Sequence, residues 1–194
     1  EHRVGVLMLP GSIGIDVVMT GAVLIALALA AREDVLRHRI PNTLNAAALL
    51  LGVGLASLAG GWSGFLDSVG GAAIGFAVLF PFYLRRGMGA GDVKLMTAAG
   101  AYLDPGSALL AAAIALVAGV FLAVAIVTRR HAEGRPLHAV APAGEATAVW
   151  RAAAAFLSVR HERFPYAVAI GIGVAAALAW NGSLGGLWAA LGIG

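Results

Sequence analysis

Apolar runs near residues 14–32, 44–60, 66–84, 106–128 and 164–181 each approach the roughly 20 residues that a helix needs to cross a bilayer. That repetition leaves little choice of fold. The chain is 60% hydrophobic and 12% charged, about half the charged share of an ordinary soluble domain, so a water-soluble architecture is excluded. The abundance of Ala and Gly suits helices whose backbones approach closely in lipid. The expected fold is an all-α integral membrane protein. Cysteine is absent, which removes disulfides, a Cys-ligated zinc and a thiol nucleophile together.

A further segment, residues 92–103, is too short to cross comfortably, yet the charge pattern requires a crossing there. Lys and Arg collect on alternate connections, as the positive-inside rule demands. Arg32, Arg37 and Arg39 follow the first span; Arg85, Arg86 and Lys94 surround the connection after the third; Arg129, Arg130, Arg135, Arg151, Arg160 and Arg163 fill the one before the last. The connections at 59–67 and 102–107 have neither residue type. The pattern predicts six transmembrane helices with a short fourth span, the basic loops in the cytosol and both termini outside. The net charge of +3 thus follows topology rather than a basic patch, and no nucleic-acid partner is expected.

Two other stretches carry expectations. Residues 145–160, E-A-T-A-V-W-R-A-A-A-A-F-L-S-V-R, place Val149, Ala153, Phe156 and Leu157 near helical spacing and predict an interfacial amphipathic helix in the last basic loop, with a plain Ala-rich connecting helix as the alternative. Residues 1–13 read as an N-terminal extension, part of it a candidate for a non-native addition, ahead of a single membrane-embedded domain at 14–194. A cleaved signal is not expected, because the positive charge mostly follows the first apolar run instead of preceding it.

Chemistry concentrates at residues 87–96, G-M-G-A-G-D-V-K-L-M. An ionisable group at a hydrocarbon boundary is costly and marks a functional site whose partner should be sought. The topology supplies one: Asp34 closes the first span and Asp92 opens the short one, so both reach the cytosolic boundary. Two neighbouring carboxylates cannot both ionise cheaply, so one holds a proton near neutral pH and the pair titrates as a unit. Such a dyad can draw a proton from water and give one to a carbonyl oxygen, which is peptide hydrolysis without metal or covalent intermediate.

Simpler readings exist for each part. Asp34 alone could be an interfacial carboxylate among arginines, and Asp92 a helix N-cap. The glycines do not form a nucleotide loop, since no G-K-S/T follows and no βαβ pattern precedes; they are expected to supply positive φ and close backbone approach beside Asp92. Lys94 tunes the dyad or simply snorkels. Asp16, Asp67 and Asp104 read as outer boundary or capping residues, and the scattered histidines His38, His131, His138 and His161 lack ligand spacing, so no metal is expected. A proton-coupled transporter is the alternative use of paired aspartates, although the spans are almost purely apolar at their centres.

Three segments resemble the type IV prepilin peptidases, membrane aspartic proteases with a G-x-G-D motif. Gly89, Ala90, Gly91 and Asp92 fit that motif; Asp34 with Arg39, Ile40, Pro41 and Asn42 fits the first aspartate segment; Pro165, Tyr166 and Ala167 fit a Pro-Tyr stretch opening the last helix. The resemblance covers roughly residues 15–181. It implies that Asp34 and Asp92 are catalytic, that Gly89, Gly91, Lys94, Ile40, Pro41, Asn42, Pro165 and Tyr166 shape the site, and that no cofactor is used. The implied substrate is a prepilin or pseudopilin with a basic leader and an apolar helix, cut after a glycine at the cytosolic face of the bacterial inner membrane. Larger members carry a cysteine-paired N-terminal extension and methylate the new terminus; this chain is similar to the short form of Flp or tight-adherence pilus systems, so methyl transfer is not implied.

Overall fold

A computed structural model describes residues 12–37, 40–85, 88–132 and 166–190. Within them every regular element is a helix: α1 (Ser12–Arg37), α2 (Asn42–Leu84), α3 (Ala90–Gly100), α4 (Pro105–Ala132), α5 (Tyr166–Trp180) and α6 (Ser183–Ala190). Gly14–Arg37, Asn42–Leu84 and Pro105–Leu122 are long and apolar enough to cross a membrane, and Tyr166–Trp180 is a shorter apolar helix. The interfacial helix expected at 145–160 lies outside the described residues.

The second and third apolar runs fold as the 43 residues of α2, which reverses at one non-helical residue, Gly61, with φ 59° and ψ −132°. Only glycine takes such a conformation without strain. The return limb then passes so near the first that a Cβ on Gly64 would strike the carbonyl of Ala56. The connection expected at 59–67 therefore shrinks to a single residue, because glycine's freedom and the small residues beside it turn the chain without a loop. Each limb is roughly 30 Å long at the helical rise, close to the hydrocarbon thickness.

Helix α3 lies between these limbs. Asn45 and Gly52 meet Gly91 and Tyr102, so α3 runs parallel to the first limb. Gly75, Gly71 and Ser68 meet Met96, Gly100 and Ala101 in reverse order, so α3 runs antiparallel to the second. Its 11 residues reach about 16 Å, roughly half the hydrocarbon thickness, the shortness expected of the fourth segment. Two buried hydroxyls fix its C-terminal turn: Ser68 Oγ donates to the Ala101 carbonyl at 2.6 Å and Tyr102 Oη to that of Ala48 at 2.9 Å.

The interior is built mostly from small residues. Ala30, Ala108, Ala111, Ala112, Ala115, Ala167, Ala169 and Ala177 are fully buried, whereas large side chains such as Ile25, Leu50, Leu58 and Phe121 face outward. In water that distribution would leave an aggregation-prone surface; in lipid the outer side chains are solvated, and backbone proximity supplies the packing. Helices α4 and α5 pack antiparallel on these terms, with Gly173 against Ala111 and Ala115 and the Tyr166 ring over Gly119.

At the end of the bundle away from the start of α3, Asp104 opens α4. Its Oδ1 accepts the amides of Gly106 and Ser107 at 3.0 and 3.1 Å, and Ser107 Oγ donates to Oδ2. Asn181 Nδ2 then donates to Ser107 Oγ at 2.5 Å, tying the end of α5 to the same turn. This is the capping role expected of Asp104. The short helix α6 after that turn was not foreseen; its eight residues are too few to give a clear period.

Candidate active site

Three helix ends converge opposite that turn. Asp34 lies in the last turn of α1 and is buried at 8% exposure. Its Oδ2 accepts the amide of Ala167, the second residue of α5, at 3.3 Å. A first-turn amide has no partner within its own helix and lies at the positive end of the helix dipole, so the contact suits a carboxylate. Asp92 is the third residue of α3 and half-buried; its Oδ2 accepts the Gly89 amide at 3.2 Å. It thus closes the helix start from inside rather than standing as its N-cap.

The two carboxylates sense one another. Burial, and then the negative charge of Asp34, push Asp92 up to about 7, against the opposing hydrogen bond from Gly89. An Asp near 7 holds its proton across much of the neutral range while remaining able to release it. The two aspartates thus lie near enough for the charge of one to act on the other. Among the described residues no three His, Asp or Glu side chains gather as metal ligands would.

The other expected residues divide into groups. Tyr166 is buried, donates its hydroxyl to the Ala115 carbonyl at 3.1 Å and lies close enough to Asp92 to feel its charge. The start of α5 therefore hydrogen-bonds Asp34 through Ala167 and brings Tyr166 within electrostatic reach of Asp92; Pro165, Arg39 and His38 fall outside the described residues. Pro41 precedes α2 in an extended conformation and accepts the amides of Leu44 and Asn45 at 3.1 and 3.3 Å. Asn42 Oδ1 accepts a hydrogen bond from Lys94 Nζ at 3.0 Å. That contact gives the exposed Lys94 a partner on α2. Ile40 packs beside Gly91.

The glycines correct one expectation. Gly89 is extended at φ −75° and ψ 147°, Gly91 lies within α3, and positive φ is confined among the described residues to Gly61 and Gly182. The helix start needs no left-handed residue, because an extended N-cap leads directly into it. Close approach does hold at Gly89, where a Cβ would stand 3.0 Å from Asp92 Oδ2; at Gly91 the nearest neighbour would be the Ile40 side chain at an ordinary 3.6 Å.

One residue escaped the sequence reading. Asn45 is 4% exposed and its Nδ2 donates to the Gly91 carbonyl at 3.4 Å, immediately before Asp92. The available signal was a second asparagine inside the apolar opening of α2, N-T-L-N.

Residues 21–124 match the model of the type IV leader peptidase family, a span that holds both aspartates and ends before Tyr166. No curated protein and no solved structure matches the chain. More than half of the sequence lies in the family match, so this all-helical membrane protein belongs to the type IV leader peptidase family.

Proposed function

We propose that this chain is the endopeptidase that removes the basic leader of a Flp-like prepilin or pseudopilin, cutting after a glycine, with Asp34 and Asp92 as its catalytic dyad. The observation that carries the reading is the placement of both aspartates in the family-matched region at helix ends, Asp34 on the Ala167 amide and Asp92 on the Gly89 amide, where burial and then Asp34's charge raise Asp92 to about 7. The ionised carboxylate takes a proton from water as the water oxygen attacks the scissile carbonyl carbon. The protonated carboxyl gives its proton to the carbonyl oxygen. Collapse of the tetrahedral intermediate re-forms the carbonyl, breaks the C–N bond and delivers a proton to the leaving amine.

Asp34, accepting a helix-start amide, suits the ionised role, and Asp92 the protonated one. Residues 14–194 act as one peptidase domain in the bacterial inner membrane, with the dyad at the cytosolic boundary and both termini outside. The substrate's apolar helix rests against the outward-facing side chains in the bilayer, while its leader stays in the cytosol. No cofactor enters this chemistry.

The test is mass spectrometry of a full-length class III prepilin incubated with the detergent-solubilised protein. One cut, directly after the leader glycine, is expected. An intact prepilin together with proton-dependent solute flux in proteoliposomes would replace the peptidase by a transporter.

A further inference from the structure

Helix α3 owes the placement of its first turn to α2. Three contacts bind the two starts together: Asn42 to Lys94, Ile40 to Gly91, and Asn45 Nδ2 to the Gly91 carbonyl. The last differs from the others in its cost. Asn45 is 4% exposed, and while its amide nitrogen reaches Gly91, its Oδ1 is buried without a hydrogen-bond partner among the described residues. An orphaned acceptor is unfavourable, and a shape-matched apolar side chain would avoid it. Buried Ser68 and Tyr102 spend their hydroxyls on backbone carbonyls, whereas Asn45 leaves an oxygen unmatched, so packing alone gives no reason for an amide here.

We infer that Asn45 is a positioning residue, whose amide holds the Gly91 carbonyl so that the first turn of α3 keeps Asp92 at its working distance from Asp34. The inference rests on the peptidase reading. The Gly91 carbonyl belongs to the residue directly before Asp92, so a shift of that peptide moves the carboxylate with it. A misplacement of about 1 Å in a reacting group costs on the order of 10²-fold in rate. The hydrogen bond of Asn45 goes to a backbone carbonyl, so it acts through the backbone and not on the substrate.

The variant Asn45→Leu removes the donor and the orphaned oxygen together. The full-length protein in detergent would be assayed on a prepilin leader substrate, beside wild type and Asp92→Asn, with a thermal melt of each. The expected result is a melting temperature equal to or above wild type, a fall in kcat of roughly 10- to 100-fold and a KM within about twofold, the pattern of a lost transition-state alignment and not of lost binding. Asn45→Ala loses the donor without adding a charge; it serves as the second variant if the Leu protein does not fold, and should show the same split.

A wild-type kcat in either folded variant, or a loss confined to KM, overturns the positioning role. So does failure of both variants to fold, which makes Asn45 a structural residue. Cleavage by wild type that Asp92→Asn does not reduce overturns the peptidase reading instead, and the role of Asn45 with it.

Discussion

Asp34→Asn and Asp92→Asn are each expected to lower kcat for leader cleavage by about 10³-fold, within the range that positioned acid–base groups contribute. Asparagine keeps the shape and one acceptor oxygen. The Ala167 amide can still donate to residue 34 and the Gly89 amide to residue 92, so the helix ends stay where they are. What disappears is the ability to take or give a proton. Asp34→Asn also removes the charge that adds to burial in raising Asp92, so that variant should melt no lower than wild type. The double variant should be no slower than the worse single one, because the two groups act as a unit. Initial rates and melts of the three proteins check all of this. Multiplicative losses would mean that the aspartates work separately.

The second large effect is structural. Gly71→Leu should destabilise the protein by about 3 kcal/mol or more, at the upper end of overpacking. A Cβ on Gly71 would fall on the backbone carbonyls of Gly100 and Leu103, and no rotamer moves backbone aside. The crossing of α2 and α3 would have to open, and α3 carries Asp92. Activity should therefore be lost with stability. Gly54→Ala is the control: the same helix, an exposed position, and nothing within 4 Å of the added carbon. It should be neutral or stabilising by up to about 1 kcal/mol through helix propensity. Unfolding in a graded detergent series separates the two. Equal midpoints for Gly71→Leu and wild type would show that this crossing is not close-packed in solution.

Much of the architecture was legible in the sequence, because a bilayer demands long apolar helices and the charges number their ends. The runs at 14–32, 44–60, 66–84 and 106–128 fall on α1, the two limbs of α2, and α4. The single-residue reversal at Gly61 was hidden. A Gly-Gly-Trp-Ser-Gly stretch reads as a connection of several residues, and only the three-dimensional proximity of Gly64 and Ala56 shows that it is a tight hairpin of helices. Asp34 and Asp92 stood out for a simple energetic reason: charge near hydrocarbon is rare.

The supporting shell was harder to read. Asn45 looks like an ordinary polar residue near a helix start until its neighbour, 46 positions away, is known. The glycines beside Asp92 suggested unusual dihedrals, whereas Gly89 needs only closeness to the carboxylate. Sequence reports where charge is expensive; it does not report which backbone groups receive it.

If Asp34 and Asp92 share one proton in a working dyad, the pH dependence of kcat/KM for leader cleavage must show it. Asp92, raised to about 7, must be protonated to donate, so activity is retained below that value and lost as pH rises through it. The expected kcat/KM falls about tenfold per pH unit on the alkaline side, with the break near 7. A profile that stays flat, or rises, between pH 6 and about 9 would contradict it.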